Sequence, residues 1–100
     1  MKKALTETEV AEILQSNPDW KLQDGKLVHE WKFKDFIEAM TFVNRVAALA
    51  ETAGHHPDID IRYNRVLLGL VSHDAGGITQ RDASMASRIS KEFQQSTEQG

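Results

Sequence analysis

No cysteine occurs in this sequence, so disulfides, thiolate metal sites and cysteine nucleophiles are excluded, and a reducing compartment is the natural setting. Long apolar runs are missing too. The N-terminal MKKALTETEV has two lysines with no hydrophobic stretch behind them, so neither a signal peptide nor a membrane span is expected, and the cytoplasm is the expected location. Basic residues are not in excess: 12 Lys and Arg stand against 15 Asp and Glu, a formal net charge of -3 with the signs interleaved. Without a basic stripe, nucleic acid is not an expected ligand. Two prolines and six glycines punctuate the chain. No low-complexity linker divides it, so residues 1–100 are expected to fold as one domain around one core.

What is present reads as alternating helices and hairpins. In LTETEVAEIL, Thr6 and Glu9 form a capping box, Val10, Ile13 and Leu14 make an apolar stripe, and Asn17-Pro18 ends the helix. WKLQDGKLVHEWKFK carries an Asp24-Gly25 turn between two extended runs, with Leu27, His29, Trp31 and Phe33 alternating with polar neighbours. Asp35 with Glu38 opens a second helix, whose apolar residues recur at helical spacing up to Gly54, where a left-handed cap is expected. IDIRYNRVLLGLVSH reads as two more strands about Asn64, and Thr79 with Asp82 caps a last helix bearing Met85, Ala86, Ile89 and Phe93, after which STEQG is expected to fray. The order is helix, strand, strand, helix, strand, strand, helix. This predicts an α+β two-layer sandwich, a four-stranded antiparallel sheet with helices on one face, and its open face or edge predicts a homo-oligomer.

The chemistry gathers around ETAGHHPDID, where His55 and His56 adjoin between Gly54 and Pro57. They follow a helix C-terminus, whose partial negative charge favours a proton donor. His73 ends the last strand, and counting outward from Asn64 puts His55 and His73 at equal distances, so the three imidazoles are expected to converge at one end of the sheet. Three readings are open. The histidines are surface loop residues; or they hold zinc or iron, against which stands the absence of HxH or HExxH pairs and the opposed directions of adjacent side chains; or they form a metal-free acid/base site flanking a planar substrate, since imidazole both gives and takes protons near neutrality.

Other candidates are weaker. His29 lies on the apolar face of its hairpin as a packed residue, and Ser72 lacks a GxSxG elbow. Asp82 is accounted for by capping, Gly76-Gly77 forms a tight loop rather than a phosphate cradle, and Trp20 and Trp31 belong to core or interface. Glu51, one turn before His55, is placed to orient it.

Taken together, Glu51, His55-His56-Pro57, Tyr63, His73 and Asp82, at these spacings, resemble the signature of the pterin-4a-carbinolamine dehydratase family. The resemblance runs from Trp31 to Ala47 and from Gly54 to Ala86, with Ile59 and Asp60 departing from the common pattern. It implies a hydro-lyase converting 4a-hydroxytetrahydropterin to quinonoid dihydropterin and water, with no metal or redox cofactor, recycling the pterin of an aromatic amino acid hydroxylase. By position, His55 and His73 would be general acids toward the 4a-hydroxyl, one for each stereoisomer. His56 would bind the pterin and help take the N5 proton, Pro57, Ser72 and Asp74 would line the pocket, and Glu51 would orient His55. The resemblance also implies a homodimer or homotetramer. The alternatives are a dimerisation module acting as a transcriptional coactivator, and a dehydratase-like protein of molybdopterin metabolism.

Overall fold

The computed structural model describes residues 3–93; the STEQG segment expected to fray lies outside them. The elements are α1 (Glu7–Ser16), β1 (Lys21–Gln23), β2 (Lys26–Lys32), α2 (Phe36–Ala53), β3 (Asp58–Arg62), β4 (Arg65–Leu70), a 3-10 turn (His73–Ala75) and α3 (Gln80–Glu92). This is the expected α+β order.

Local signals place the boundaries. The Thr6 hydroxyl accepts from the Glu9 amide at 3.1 Å while the Glu9 carboxylate accepts from the Thr6 amide at 2.8 Å, so two orphan donors of α1 are satisfied reciprocally. Asp35 accepts from the Glu38 amide at 2.9 Å to start α2, and Gly54 ends it with φ 68. The first hairpin turns through Asp24 (φ 53) and Gly25 (φ 78), both left-handed, as a two-residue hairpin demands.

The four strands form one antiparallel sheet in the order β1-β2-β4-β3. Because facing residues of paired strands share a face, the register assigns Leu27, Trp31, Val66, Leu68 and Leu70 to one side, and all five are buried against α2 and α3 residues such as Val46, Ala50, Ala86 and Ile89. The opposite face carries Glu30, Lys32, Asp60 and Arg65, all exposed. Two indoles lock the sheet to α3: Trp20 Nε1 donates to Ser90 Oγ at 2.7 Å, and Trp31 Nε1 donates to the Phe93 carbonyl at 2.9 Å. Both rings are core residues, as their sequence setting suggested.

β3 is the uncovered rim. Ile59 and Ile61 pair with Leu68 and Val66 and so share the core-facing side, yet each stays 37% exposed because the helices do not reach that far. Its start is pinned by a 2.7 Å ion pair from Lys26 Nζ to Asp58 Oδ2, immediately after the HHP segment. The second hairpin turns through Tyr63 and Asn64, and Asn64 binds Phe33 twice, accepting through its carbonyl at 2.7 Å and donating through Nδ2 at 2.8 Å.

His29 lies in the aromatic layer, stacked on Trp31 with ring centroids 3.6 Å apart and meeting Trp20 edge-on at 5.2 Å. Burial pushes its imidazole below the ordinary value, outweighing the Glu30 carbonyl contact and the Asp19 charge, which act the other way. A lowered folded value means that the unfolded chain binds more protons, so His29 withdraws stability as pH falls through its unfolded value of about 6.5, down to the lowered folded value. Urea unfolding compared between about pH 7.5 and about pH 5 is expected to lose less stability in His29→Phe than in the wild type; an unchanged pH dependence would show that this ring stays neutral at no cost.

Candidate functional site

The site is built where α2 stops. Gly54 turns the chain left-handed, and the Ala50 carbonyl accepts from both the Gly54 amide (2.8 Å) and the His55 amide (3.2 Å), which fixes the backbone entering the histidine pair. His55 and His56 then part. His55 is buried, 9% exposed, and its Nε2 meets Asp82 Oδ1 at 2.5 Å. His56 is exposed and its Nε2 meets Glu51 Oε2 at 2.6 Å, folding back over the last turn of α2.

This corrects the expected partner of Glu51. The i, i+4 rule holds only inside a helix, and Gly54 ends the helix before His55 is reached, so His55 dives under the helix end while His56 comes back across Glu51. The opposed directions of the adjacent side chains are as expected.

Asp82, read from sequence as a cap alone, has a second task. Its carboxylate is fully buried (0% exposed) and takes three donors: His55 Nε2, Ser72 Oγ at 2.8 Å and the Thr79 amide at 2.9 Å. Buried charge survives only when bonded this completely. Because Ser72 spends its one proton on Asp82, the 2.8 Å contact between Ser72 and Thr79 hydroxyls must be donated by Thr79. Thr79 Oγ1 also accepts from the Arg81 amide at 3.2 Å. A carboxylate only accepts, so Nε2 of His55 carries a proton, and Nδ1 is the ring nitrogen outside this bond.

Beyond β4 the chain makes a closed loop. The Ser72 amide donates to the Gly77 carbonyl at 2.9 Å and the Gly77 amide returns a bond at 3.2 Å. His73 opens the 3-10 turn inside this loop and is exposed, and Gly76 closes it at φ 72. Asp74 beside it accepts from Arg81 Nη2 at 2.6 Å. The ladder of β3 and β4, running from Asp58↔Gly69 to Arg62↔Arg65, is centred between Tyr63 and Asn64. Extended outward, it sets Ser72 rather than His73 opposite His55, and the Ser72–Asp82–His55 bonds are the result. Pro57, half-buried, links His56 to β3.

The structure thus joins His55, Ser72, Thr79 and Asp82 in one buried network, joins His56 to Glu51 and Asp74 to Arg81, and brings the His73 turn to the same end of the sheet. Among the described residues no three His, Asp or Glu side chains converge as a metal-ligand set. A cavity of about 290 Å³ beside His55 is bounded by Ala53, Arg81, Ser84, Met85 and Arg88. A wider groove of about 680 Å³ between α1 and α3 holds none of these histidines. Sequence reasoning missed the ring-holding role of Asp82 and the reach of Arg81; the signals available were the place of Asp82 in the family signature and its position at the third residue of a helix whose cap, Thr79, sits just after the His73 loop.

Residues 3–92 match the family model described as Pterin 4 alpha carbinolamine dehydratase. A protein of Acidobacterium capsulatum, provisionally named a pterin-4-alpha-carbinolamine dehydratase, is 58% identical over 85% of this chain and 92% of its own. The chain belongs to this dehydratase family. A Thermomicrobium roseum protein with the same provisional name is 54% identical over 87% of this chain and 94% of its own. Among solved structures, a transcriptional coactivator/pterin dehydratase from Brucella melitensis superposes with TM-score 0.83 at 36% identity, covering 89% of this chain and 97% of that one. A pterin dehydratase-like RuBisCO assembly factor of the alpha-carboxysome shares the fold at TM-score 0.64 and 22% identity, over 77% of this chain and 92% of that one.

For this family member the Asp82 network should be measurable in stability alone. Asn at that position offers one acceptor where the carboxylate offers two, so Asp82→Asn strands at least one buried donor and is expected to lower the urea-unfolding free energy by roughly 1–3 kcal/mol. Ser72→Ala, which removes one donor, is expected to cost less, about 0.5–1.5 kcal/mol. Asp82→Asn unfolding like the wild type would mean that the network does not hold the helix start.

Proposed function

We propose that this protein dehydrates 4a-hydroxytetrahydropterin, releasing water and quinonoid dihydropterin, with imidazoles as acid and base. The observation that carries the reading is the contrast between the two adjacent histidines: one ring buried and held by Asp82, the other exposed and held by Glu51. Family membership supports the substrate class.

In this reading the C4a–O bond breaks as a proton reaches the departing hydroxyl, and the N5 proton leaves to a base, so that one water is lost with no net change in protons. With Nε2–H committed to Asp82, His55 enters the step doubly protonated, delivers its Nδ1 proton to the departing hydroxyl and is left as the neutral ring that Asp82 still holds. His73, on its exposed turn, acts as the acid for the hydroxyl on the opposite face of the ring. His56 binds the pterin and receives the N5 proton, with Glu51 fixing its orientation in place of the role first expected for Glu51 at His55. Pro57, Ser72 and Asp74 complete the wall, Ser72 through Asp82 rather than by facing substrate, since it is buried. The product feeds the cofactor cycle of an aromatic amino acid hydroxylase.

A second reading, a partner-binding module, draws on the name of the Brucella structure and on the exposed Ile37, Ile59 and Ile61. Those side chains also support association of this chain with copies of itself.

Stopped-flow dehydration of freshly made 4a-hydroxytetrahydropterin, with and without chelator, tests the enzyme. Acceleration over buffer that chelator leaves unchanged is the expected result; rates equal to buffer leave the module reading. Positioned acid/base groups supply about 10²- to 10⁴-fold, so His55→Ala and His73→Ala are each expected to reduce, not abolish, turnover, and to impair opposite stereoisomers. Equal loss on both isomers would end the division of labour.

A further inference from the structure

His73 differs from the other two histidines in having no side-chain hydrogen bond among the described residues, and it stands on an exposed turn. The backbone pair between Ser72 and Gly77 closes the base of that turn but does not orient its tip. The tip is tied to α3 by the 2.6 Å bond from Arg81 Nη2 to Asp74 Oδ1. The contact uses a single terminal nitrogen, and Arg81 Nε, also buried, meets no acceptor among the described residues.

Arg81 and Asp82 are consecutive on the first turn of α3 and point in different directions, as neighbours about 100° apart on a helix must. Asp82 reaches His55, whereas Arg81 reaches the residue next to His73. We propose that Arg81 is a positioning residue for His73, acting through Asp74, so that the first turn of α3 sets the location of both proton donors relative to one substrate. This rests on the assignment of His55 and His73 as acids for opposite isomers. It goes beyond that assignment by making stereoisomer preference depend on a side chain that acts through Asp74.

The experiment compares Arg81→Met, Arg81→Lys and Asp74→Asn with the wild type, in otherwise intact protein and in a His73→Ala background. Each is assayed on both 4a-hydroxy isomers, with thermal unfolding followed in parallel. Misplacement by a fraction of an ångström to an ångström costs up to about 100-fold, so Arg81→Met and Asp74→Asn are expected to lower kcat for the His73-dependent isomer by about 10-fold or more. In Arg81→Met the other isomer is expected to stay within about 2-fold, with Arg81→Lys recovering part of the loss, whereas Asp74→Asn, at the pocket wall, is judged only by its loss on the His73-dependent isomer and its dependence on His73. In the His73→Ala background the same substitutions should do nothing further to that isomer. Equal loss on both isomers in Arg81→Met, or an undiminished loss without His73 in either variant, would overturn the proposal. A readout that needs no catalysis separates this from failure of the acid assignment: the His73 Hε1 proton resonance should move in Arg81→Met and return toward its place in Arg81→Lys, while that of His55 stays put. Should His73→Ala spare both isomers, the acid assignment fails and the resonance decides alone: movement upholds the positioning, and an unmoved His73 resonance overturns it.

Discussion

A single buried carboxylate organises this end of the molecule. Asp82 caps α3 through the Thr79 amide, receives the Ser72 hydroxyl at the end of the central strand, and grips the His55 ring delivered by the end of α2. Three segments, the end of α2 lying 27 residues from Asp82 and Ser72 ten, meet at two oxygen atoms. Isolated, such a charge would cost far more than a domain's whole stability margin; fully bonded, it is tolerated and fixes geometry. The position of the His55 ring is therefore a property of the fold, not of its own loop.

The histidine pair shows how a helix end converts sequence adjacency into chemical difference. Gly54 takes φ 68, a conformation that costs glycine little and other residues more. Past that reversal His55 turns inward and His56 outward, and their environments diverge: one ring bonded to a carboxylate that is wholly buried, the other to one that is 78% exposed on its side chain. Two identical side chains next to each other thus gain separate partners without any extra element of structure.

Much of the fold was legible because its signals are local. Thr6 with Glu9, Asp35 with Glu38, Asp24-Gly25 and Gly54 each state a boundary within four residues, and each structural bond lies where that pattern put it. The alternation of Leu27, His29 and Trp31 likewise gave the core-facing side of β2, although Val28 on the other side is buried as well and His29 only half so. The site was legible only in part, because its decisive contacts are long-range. His55 and Asp82 are 27 residues apart, and no periodicity announces their bond; Asp82 already had a sufficient local explanation as a cap. The turn centre offered a subtler trap. Counting from Asn64 alone, rather than from between Tyr63 and Asn64, shifts the facing residue by one, and in a sheet one residue exchanges the two faces.

The bare rim of β3 carries a geometric consequence. That strand begins directly after Pro57, so its outer backbone groups and its uncovered isoleucines run away from the paired histidines at the end of α2. Any chain that lays itself along this rim would therefore end within reach of His56, so an edge contact there would border the histidine pair.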